Sequence, residues 1–393
     1  MQESKSCALT DLAISLYWIV NGTIIHIFFP LVKWNAKNIF AMLRSEKFPH
    51  YFQKYGIATS AGVCYNKSIK QKGDILMKEY IGVDIGGTKI AVVKGDENGN
   101  IQKKIRFENP GDKDECICRI LSAIAEMGAA DAVGISCGGP LDSKKGTVLS
   151  PPNLPGWDEV PIVEIIENAA GIPAFLQNDA DACALAEWRF GAGKGAENMV
   201  FLTFGTGMGA GLILGGALYS GACGMAGEVG HMAMEKSGPV GFGKAGSFEG
   251  FCSGGGIART AKAKAHEMLL AGKTPSFCES MAELENITAQ TVAEHARKGH
   301  ADAAEIYENC GYMLGRGIAV IIDMLNPEKI VIGSIYARAN DLLAPAMYRA
   351  LEKEAIPASL AACEIVPAGL SENIGDIAAL CVAANGMKRR KQL

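Results

Sequence analysis

Apolar and polar positions from Met77 onward predict strands first, and then helices and strands in alternation. Apolar, β-branched runs flank the pair Gly86-Gly87, which is the pattern of a hairpin with a tight turn. A third strand over 101–107 follows an Asn-Gly turn, and helical and strand periodicities then alternate up to residue 195. Three strands followed by such alternation predict a mixed sheet covered by helices, so we assign the chain to the α/β class.

The same pattern starts again in the second half of the chain. Met199–Phe204 reads as a strand, Gly205-Thr206-Gly207 as a turn, and residues 211–214 as a second strand. A long apolar helix over 303–325 then leads into the strand Lys329–Ile332. A glycine turn between strands at the start of each half indicates two related domains with nucleotide between them.

The first 76 residues differ in composition from the rest. They hold eleven of the 28 aromatic residues but only four of the 47 glycines, and residues 12–32 form an uncharged apolar run of membrane-spanning length. We weigh a membrane anchor, a DNA-binding arm and translated upstream sequence. We favour the third, because Met77 directly precedes the first strand and residues 72–74 can be encoded by a purine-rich ribosome-binding sequence. Mass spectrometry of the native N-terminus would decide the question.

Charge and cysteine content limit the partners and the compartment. The 393 residues carry a net charge of −4, which gives no general attraction to nucleic acid or anionic lipid. The twelve cysteines are scattered without a CxxC pair, and most lie in apolar segments. Reduced thiols in a cytoplasmic protein are the simplest explanation.

Both glycine turns are candidates for holding phosphate groups. Gly86 and Gly87 leave backbone N–H groups open to an anion, Thr88 adds a hydroxyl and Lys89 adds positive charge. Asp84, at the end of the first strand, could orient a hydrated Mg²⁺ ion. An ordinary hairpin is an equally good reading of this turn. The second turn, residues 205–209, resembles a dinucleotide fingerprint, but strand residues follow it and rule that reading out.

Polar residues that end strands or lie in loops are candidates for substrate chemistry. Asn178-Asp179 ends a strand and opens a helix, so Asp179 is either an N-cap or a base that takes a proton from a substrate hydroxyl. Glu228, His231 and Glu249 could bind sugar hydroxyls, although a single His is more often structural. The loop 151–157 offers the amide of Asn153 and the indole of Trp157, as a surface turn or as a sugar contact.

From Met77 to about Ala384 the chain resembles the ROK family, which combines sugar kinases and sugar-responsive repressors. The resemblance rests on an ordered set of short motifs: Asp84–Lys89, Gly138-Gly139-Pro140, Asn153 to Trp157, Asn178-Asp179, Gly205–Gly207, Gly227 to His231, Glu249, and Asn326-Pro327 to Gly333. It implies a two-domain actin-like ATPase (ribonuclease H-like) fold with the active site in the interdomain cleft. We place the small domain at 77–195 plus about 370–393, and the larger domain at 196–369.

The resemblance also implies a role for each matching residue. Asp179 is implied as the base for the sugar hydroxyl. The implied sugar ligands are Gly139, Asn153, Asn178, Glu228, His231 and Glu249. The implied nucleotide site is formed by Asp84, Gly86, Gly87, Thr88, Lys89, Gly205, Thr206, Gly207 and Gly333. Mg²⁺ is expected near Asp84, and Ser334 stands where most members of the family have Gly, so the packing of adenosine there is expected to differ.

One departure from the family concerns zinc. The family usually binds a structural zinc through the residue matching His231 and three cysteines, whose positions here hold Val240, Phe242 and Ser247. Because zinc prefers thiolate and imidazole ligands in a tetrahedral set, we expect no zinc in this protein. One equivalent of bound zinc in a metal analysis would refute this.

These inferences lead to one functional expectation with named alternatives. We expect an ATP- and Mg²⁺-dependent hexose kinase that converts glucose to glucose 6-phosphate, in the cytoplasm, as a homodimer or homotetramer without nucleic-acid or membrane partners. N-acetylmannosamine, N-acetylglucosamine, allose and fructose are the alternative sugars. A sugar-responsive repressor and a catalytically idle sugar sensor are the alternative functions.

Overall fold

The structure, a computed structural model, describes residues 13–20, 23–30, 77–370 and 373–391 and forms two units that divide after Asp74. In the first unit, β1 (Ala13–Val20) and β2 (Thr23–Pro30) pair antiparallel. The apolar run considered as a membrane span is therefore largely β-hairpin. No helix within the described ranges is long and apolar enough to cross a membrane. The predictions made for 31–76 lie outside the described residues.

The first domain of the second unit is built on a five-stranded mixed sheet. The strands of this domain are, in chain order, β3 (Glu79–Ile85), β4 (Lys89–Asp96), β5 (Ile101–Glu108), β6 (Ala132–Cys137), β7 (Leu141–Asp142), β8 (Thr147–Val148) and β9 (Ala174–Asn178). The short strands β7 and β8 form a separate antiparallel pair, and the other five form the sheet. The sheet order is β5-β4-β3-β6-β9, with the first three strands antiparallel and the last two parallel to β3. The predicted hairpin at Gly86-Gly87 is the connection from β3 to β4.

Three helices accompany this sheet. They are α1 (Lys113–Met127), α2 (Ile162–Ala170) and α3 (Asp179–Phe190). The N-cap of α1 is Asp112, whose carboxylate accepts a hydrogen bond from the backbone N–H of Glu115 at 2.8 Å. The apolar faces of α1 and α2 cover the buried strands β3 and β6 and form one core with them.

The second domain repeats this topology. Its strands are β10 (Met199–Phe204), β11 (Met208–Leu214), β12 (Ala217–Tyr219), the short pair β13 (Val240–Gly241) and β14 (Lys244–Ala245), β15 (Lys329–Ile332) and β16 (Glu364–Pro367). The sheet order is β12-β11-β10-β15-β16, again with three antiparallel strands and then two parallel ones. Identical strand order and direction in both sheets support the inference of two related domains.

The remaining helices are α4 (Phe248–Phe251), α5 (Gly254–Leu270), α6 (Ala289–Arg297), α7 (Ala301–Leu325), α8 (Ile335–Glu354), α9 (Pro357–Ala362) and α10 (Ile374–Arg390). The sequence pattern missed four of them: α4, α5, α6 and α9. Three glycines at the start of α5 give this segment the composition of a loop. Its N-cap Ser253 compensates, because its hydroxyl accepts a hydrogen bond from the N–H of Gly256 at 2.9 Å.

Helices α3 and α10 pack against each other between the two sheets. Glycine in the facing strands permits the close approach: a Cβ on Gly134 of β6 would lie 2.1 Å from the carbonyl oxygen of Ala379 in α10. A Cβ on Gly211 of β11 would lie 2.4 Å from the carbonyl oxygen of Ala180 in α3. Each sheet therefore rests on one helix of the central pair.

The chain crosses between the domains twice, and one carboxylate holds both crossings. Glu187 of α3 is fully buried and accepts hydrogen bonds from Ala192 N–H at 2.8 Å, Gly369 N–H at 3.0 Å and Leu370 N–H at 2.9 Å. Ala192 lies on the way from α3 to β10, and residues 369–370 lie on the way from β16 to α10. Glu187 is thus a shared anchor for both connections.

Candidate active site

Asp179 lies at the carboxyl end of β9, as the first residue of α3. The N-cap of that helix is Asn178, whose side-chain oxygen accepts a hydrogen bond from Ala180 N–H at 2.9 Å. The Asp179 carboxylate accepts from the same N–H at 2.8 Å and faces an open cavity. The protein that surrounds it raises the pKa of Asp179 through desolvation, and the nearby charge of Glu228 raises it further. Asn178 is therefore the N-cap of α3, and the carboxylate of Asp179 faces the cavity.

A cavity of about 670 Å³ gathers the residues that sequence reasoning had selected for sugar binding. They come from the first domain, from the loop 224–231 and from α4. The predicted site residues that line the cavity are Gly139, Asn153, Asn178, Asp179, Gly205, Thr206, Gly207, Glu228, His231 and Glu249. Such a cavity, rich in carboxylate, amide and imidazole groups, suits a small polyhydroxylated ligand.

Glu249 connects this cavity to the second glycine turn. One of its carboxylate oxygens, Oε2, accepts a hydrogen bond from Met208 N–H at 3.1 Å. A Cβ on Gly207 would lie 2.7 Å from the same oxygen, so the turn needs glycine at this position to let Glu249 approach. The acid and the turn are thus fixed relative to each other.

A second cavity, of about 850 Å³, meets the first at Gly205 and Thr206. The N-terminus of α5 forms one of its walls, and Gly254 N–H donates to the carbonyl of Gly205 at 2.8 Å. Ser334 lines it as well, while its neighbour Gly333 is buried and donates its N–H to the carbonyl of Leu202 at 2.9 Å. Two cavities that share a glycine turn can hold two ligands that exchange a group there.

Among the described residues, the first glycine turn contacts the lining of the cavity of about 670 Å³ through the loop 151–157. A Cβ on Gly87 would lie 2.7 Å from the carbonyl oxygen of Asn153, so the two loops touch at this point. Gly86 N–H closes the turn by donating to the carbonyl of Lys89 at 3.1 Å. Thr88 and Lys89 are exposed, and the described linings of the two cavities do not include them.

Asp84 stands in a region of concentrated negative charge. Burial first of all, and then the charges of Asp179 and Asp376, raise the pKa of Asp84 to about 6, against a lowering hydrogen bond from Ser136. Asp376, in the first turn of α10, forms an ion pair with Lys104. The charges of Asp84 and Asp179, which lie close enough to affect each other, are what a divalent cation would neutralise. Sequence reasoning missed Asp376, because an acidic residue in a first helical turn is ordinary.

The loop that replaces the family's cysteines is held by other contacts. Buried Ser247 is the N-cap of α4, and its hydroxyl accepts from Gly250 N–H at 3.1 Å. The ring of Phe242 lies edge-on to the ring of His231, with centroids 5.2 Å apart and planes at 83°. In the described ranges, no group of three or more His, Cys, Asp or Glu residues is arranged to hold a metal ion. The absence of zinc stays a prediction.

Trp157 is neither part of an exposed surface turn nor a residue of the cavity lining. Its side chain is only 2% exposed and belongs to the core of the first domain with Leu154 and Val160. The buried indole anchors the loop in the core, while Asn153 lines the same cavity as Asp179. Apolar residues between polar ones in a loop, such as Leu154, are the signal that could have indicated this.

The model of the ROK family matches residues 80–385. The chain belongs to the ROK family. A glucokinase of Streptomyces coelicolor is 34% identical over 67% of this chain and 84% of its own. A glucokinase of Thermotoga maritima is 33% identical over 77% and 96%, and an N-acetylmannosamine kinase of Citrobacter koseri is 30% identical over 70% and 90%.

Solved structures agree with the fold. A ROK glucokinase from Streptomyces griseus in complex with glucose and AMPPNP has a TM-score of 0.64 and 30% identity, over 78% of this chain and all of that one. A ROK hexokinase from Thermus thermophilus has a TM-score of 0.67 and 26% identity, over 79% and 99%. A ROK transcriptional regulator shares the fold with a TM-score of 0.69 at 24% identity, over 78% of each chain. The predicted family and two-domain actin-like fold are confirmed.

Proposed function

We propose that this ROK protein transfers the γ-phosphoryl group of ATP to the 6-hydroxyl of a hexose, with glucose as its main substrate. The chain is an ATP-dependent sugar kinase, in line with its glucokinase and hexokinase relatives. One observation carries the finer proposal: Asp179 faces a cavity lined by hydroxyl-binding groups, which meets a second cavity at a glycine turn. Sugar and nucleotide would meet at that turn.

In this proposal Asp179 accepts the proton of the attacking hydroxyl. Its raised pKa makes it a stronger base than a free aspartate, while the N–H of Ala180 keeps the carboxylate oriented. Asn153, Glu228 and Glu249 would bind the other hydroxyls and hold the 6-hydroxyl near Asp179. Enclosure by both domains would exclude water and so limit hydrolysis of ATP.

The nucleotide would occupy the second cavity, with its phosphates against Gly205 and Thr206. Their backbone groups and the N-terminus of α5 would stabilise the negative charge that moves during transfer. The charge around Asp84 fits Mg²⁺, which Asp84 would hold through its hydration shell. When bound, this ion neutralises charge on the β- and γ-phosphates. Gly86 and Gly87 would support the same phosphates from the first domain.

A panel of hexoses with ATP, read by release of ADP, tests the substrate. Glucose should give the highest kcat/KM, because glucokinases of Streptomyces and Thermotoga are among the relatives of highest identity. N-acetylmannosamine is the next candidate, given the 30% identical kinase for that sugar. Higher kcat/KM for another hexose would reassign the substrate but leave the role of Asp179 unchanged.

Asp179→Asn tests the catalytic base. It should lower kcat by roughly 100-fold or more, the usual contribution of a general base, and leave the dissociation constant of the sugar nearly unchanged. In the parent enzyme, kcat/KM should fall on the acid side at a pH above the usual aspartate range, since the pKa of Asp179 is raised. Asp114→Asn, an exposed change on α1, is the matched control. A kcat within threefold of the parent value in Asp179→Asn would reject the assignment.

A sugar-responsive repressor is the alternative from another class, since a transcriptional regulator shares the fold. Fluorescence anisotropy with a labelled promoter library would detect DNA binding that a sugar releases. A sensor without catalysis would bind sugar and release no ADP from ATP.

A further inference from the structure

Phe242 combines two unfavourable features at the edge of the sugar cavity. It occupies, with Gly243, the two-residue turn between β13 and β14, and both residues have positive φ, +41° and +76°. Turns of this type favour Asn-Gly, and a bulky side chain at positive φ is strained. The side chain is also 64% exposed. An aromatic ring that is both strained and exposed suggests a role outside folding.

The hairpin that carries Phe242 is held together without its ring. Gly246 accepts hydrogen bonds at its carbonyl from Met234 N–H at 2.9 Å and Glu235 N–H at 3.1 Å, and it donates its own N–H to the carbonyl of Pro239 at 3.0 Å. Lys244 Nζ donates to the carbonyl of His231 at 2.6 Å. These contacts fix the loop through its backbone, so the position of the turn does not depend on the Phe242 side chain.

The ring itself faces the ligand space. Phe242 lines the same cavity as Asp179, and among the described residues of that lining it carries the one benzene ring; the other apolar side chains there are Pro, Ala and Met. Its edge-to-face contact with His231 also limits the orientations open to the imidazole. The cavity thus has polar groups for hydroxyls and, in its described lining, one flat benzene ring.

We propose that Phe242 is a specificity-determining residue that packs against the apolar C–H face of a pyranose and orients His231 toward a sugar hydroxyl. The proposal rests on the hexose kinase function proposed above and names the ligand class of that site: a hexopyranose whose equatorial hydroxyls leave axial C–H groups exposed on one face. A hexose with an axial hydroxyl on that face presents a polar group to the ring instead.

Phe242→Gly tests the role of the ring, because glycine also relieves the positive φ. The dissociation constant and KM for glucose should rise roughly three- to tenfold, the value of one aromatic contact, while kcat and the KM for ATP change less than twofold. The melting temperature should stay the same or rise. Phe242→Trp should restore binding, and Val240→Ala, another exposed apolar residue of the hairpin, should have no effect.

Binding is measured by calorimetry without ATP as well as by turnover, which separates this proposal from the kinase function. Weaker glucose binding in Phe242→Gly with intact stability supports the proposal, even if the parent protein releases no ADP. A dissociation constant within twofold of the parent, or a loss of binding that matches a loss of melting temperature, would overturn it. A parent protein that binds no hexose would overturn both proposals.

Discussion

Replacement of Glu187 should destabilise the connection between the domains more than any exposed glutamate can. In Glu187→Gln, the single side-chain oxygen can replace Oε2, which accepts from Ala192 and Gly369, or Oε1, which accepts from Leu370. If it replaces Oε2, the new amide group faces the N–H of Leu370, and a buried donor is left without an acceptor. The change also removes the charge that strengthens the other bonds.

The magnitude follows from these three hydrogen bonds. One unsatisfied buried donor costs about 1–3 kcal/mol, and the loss of charge assistance in the other two adds about 1 kcal/mol. We therefore expect the free energy of unfolding to fall by about 2–4 kcal/mol, which lowers the melting temperature by roughly 3–6 °C in a protein of this size. Because Glu187 holds both crossings, kcat and KM should change together, as for a hinge residue.

Two measurements test this reasoning. Calorimetry gives the melting temperature, and hydrogen exchange reports on the amides of Ala192, Gly369 and Leu370, which should exchange faster in the variant than in the parent. Glu267→Gln, an exposed change on α5, is the matched control. A melting temperature within 1 °C of that control, with unchanged exchange at these three amides, would refute the role given to Glu187.

Three further predictions concern other parts of the molecule. Burial raises the pKa of Asp181 to about 6, so the protonated carboxyl stabilises the fold at low pH and this stabilisation is lost as the pH rises through 6. The melting temperature of Asp181→Asn should therefore rise relative to that of the parent between pH 5 and pH 8. A difference in melting temperature that falls over this range would contradict the argument. Ser334 has a φ of +51° and a ψ of −105°, so Ser334→Gly should raise the free energy of unfolding by about 1 kcal/mol in urea titration; a less stable variant would argue against strain. Gly134→Ala places a Cβ 2.1 Å from a backbone oxygen of α10 and should cost about 3 kcal/mol in the same titration, whereas a neutral effect would mean that α10 can move.

Short sequence motifs predicted most residues of the candidate site, because each motif is a local segment of the chain. The turn at Gly205–Gly207, the strand end at Asn178-Asp179 and the loop with Glu228 and His231 each follow from neighbouring residues, and the structure brings all of them to one cavity. The order of these motifs along the chain is what resembles the family. The sequence could not decide whether Asp179 is an N-cap or a candidate base. The structure shows that Asn178 is the N-cap of α3.

Other features depend on residues that are distant in sequence. Glu187 binds amides more than 180 residues away, and Asp376 adds its charge to Asp84 across almost the whole length of the chain. Neither residue stands in a recognisable motif. Trp157 shows the reverse case, because its position in a polar loop indicated exposure, whereas the fold places it in the core.

The sequence by itself determined most of the sheet strands, the longer apolar helices, the two glycine turns and the family, because periodicity and turn chemistry act over a few residues. Only the tertiary structure decided which turn lines the sugar cavity, which residue caps α3, and how Phe242 meets His231. These outcomes depend on packing between segments far apart in the chain. Burial and charge interactions arise from that packing and from no local pattern.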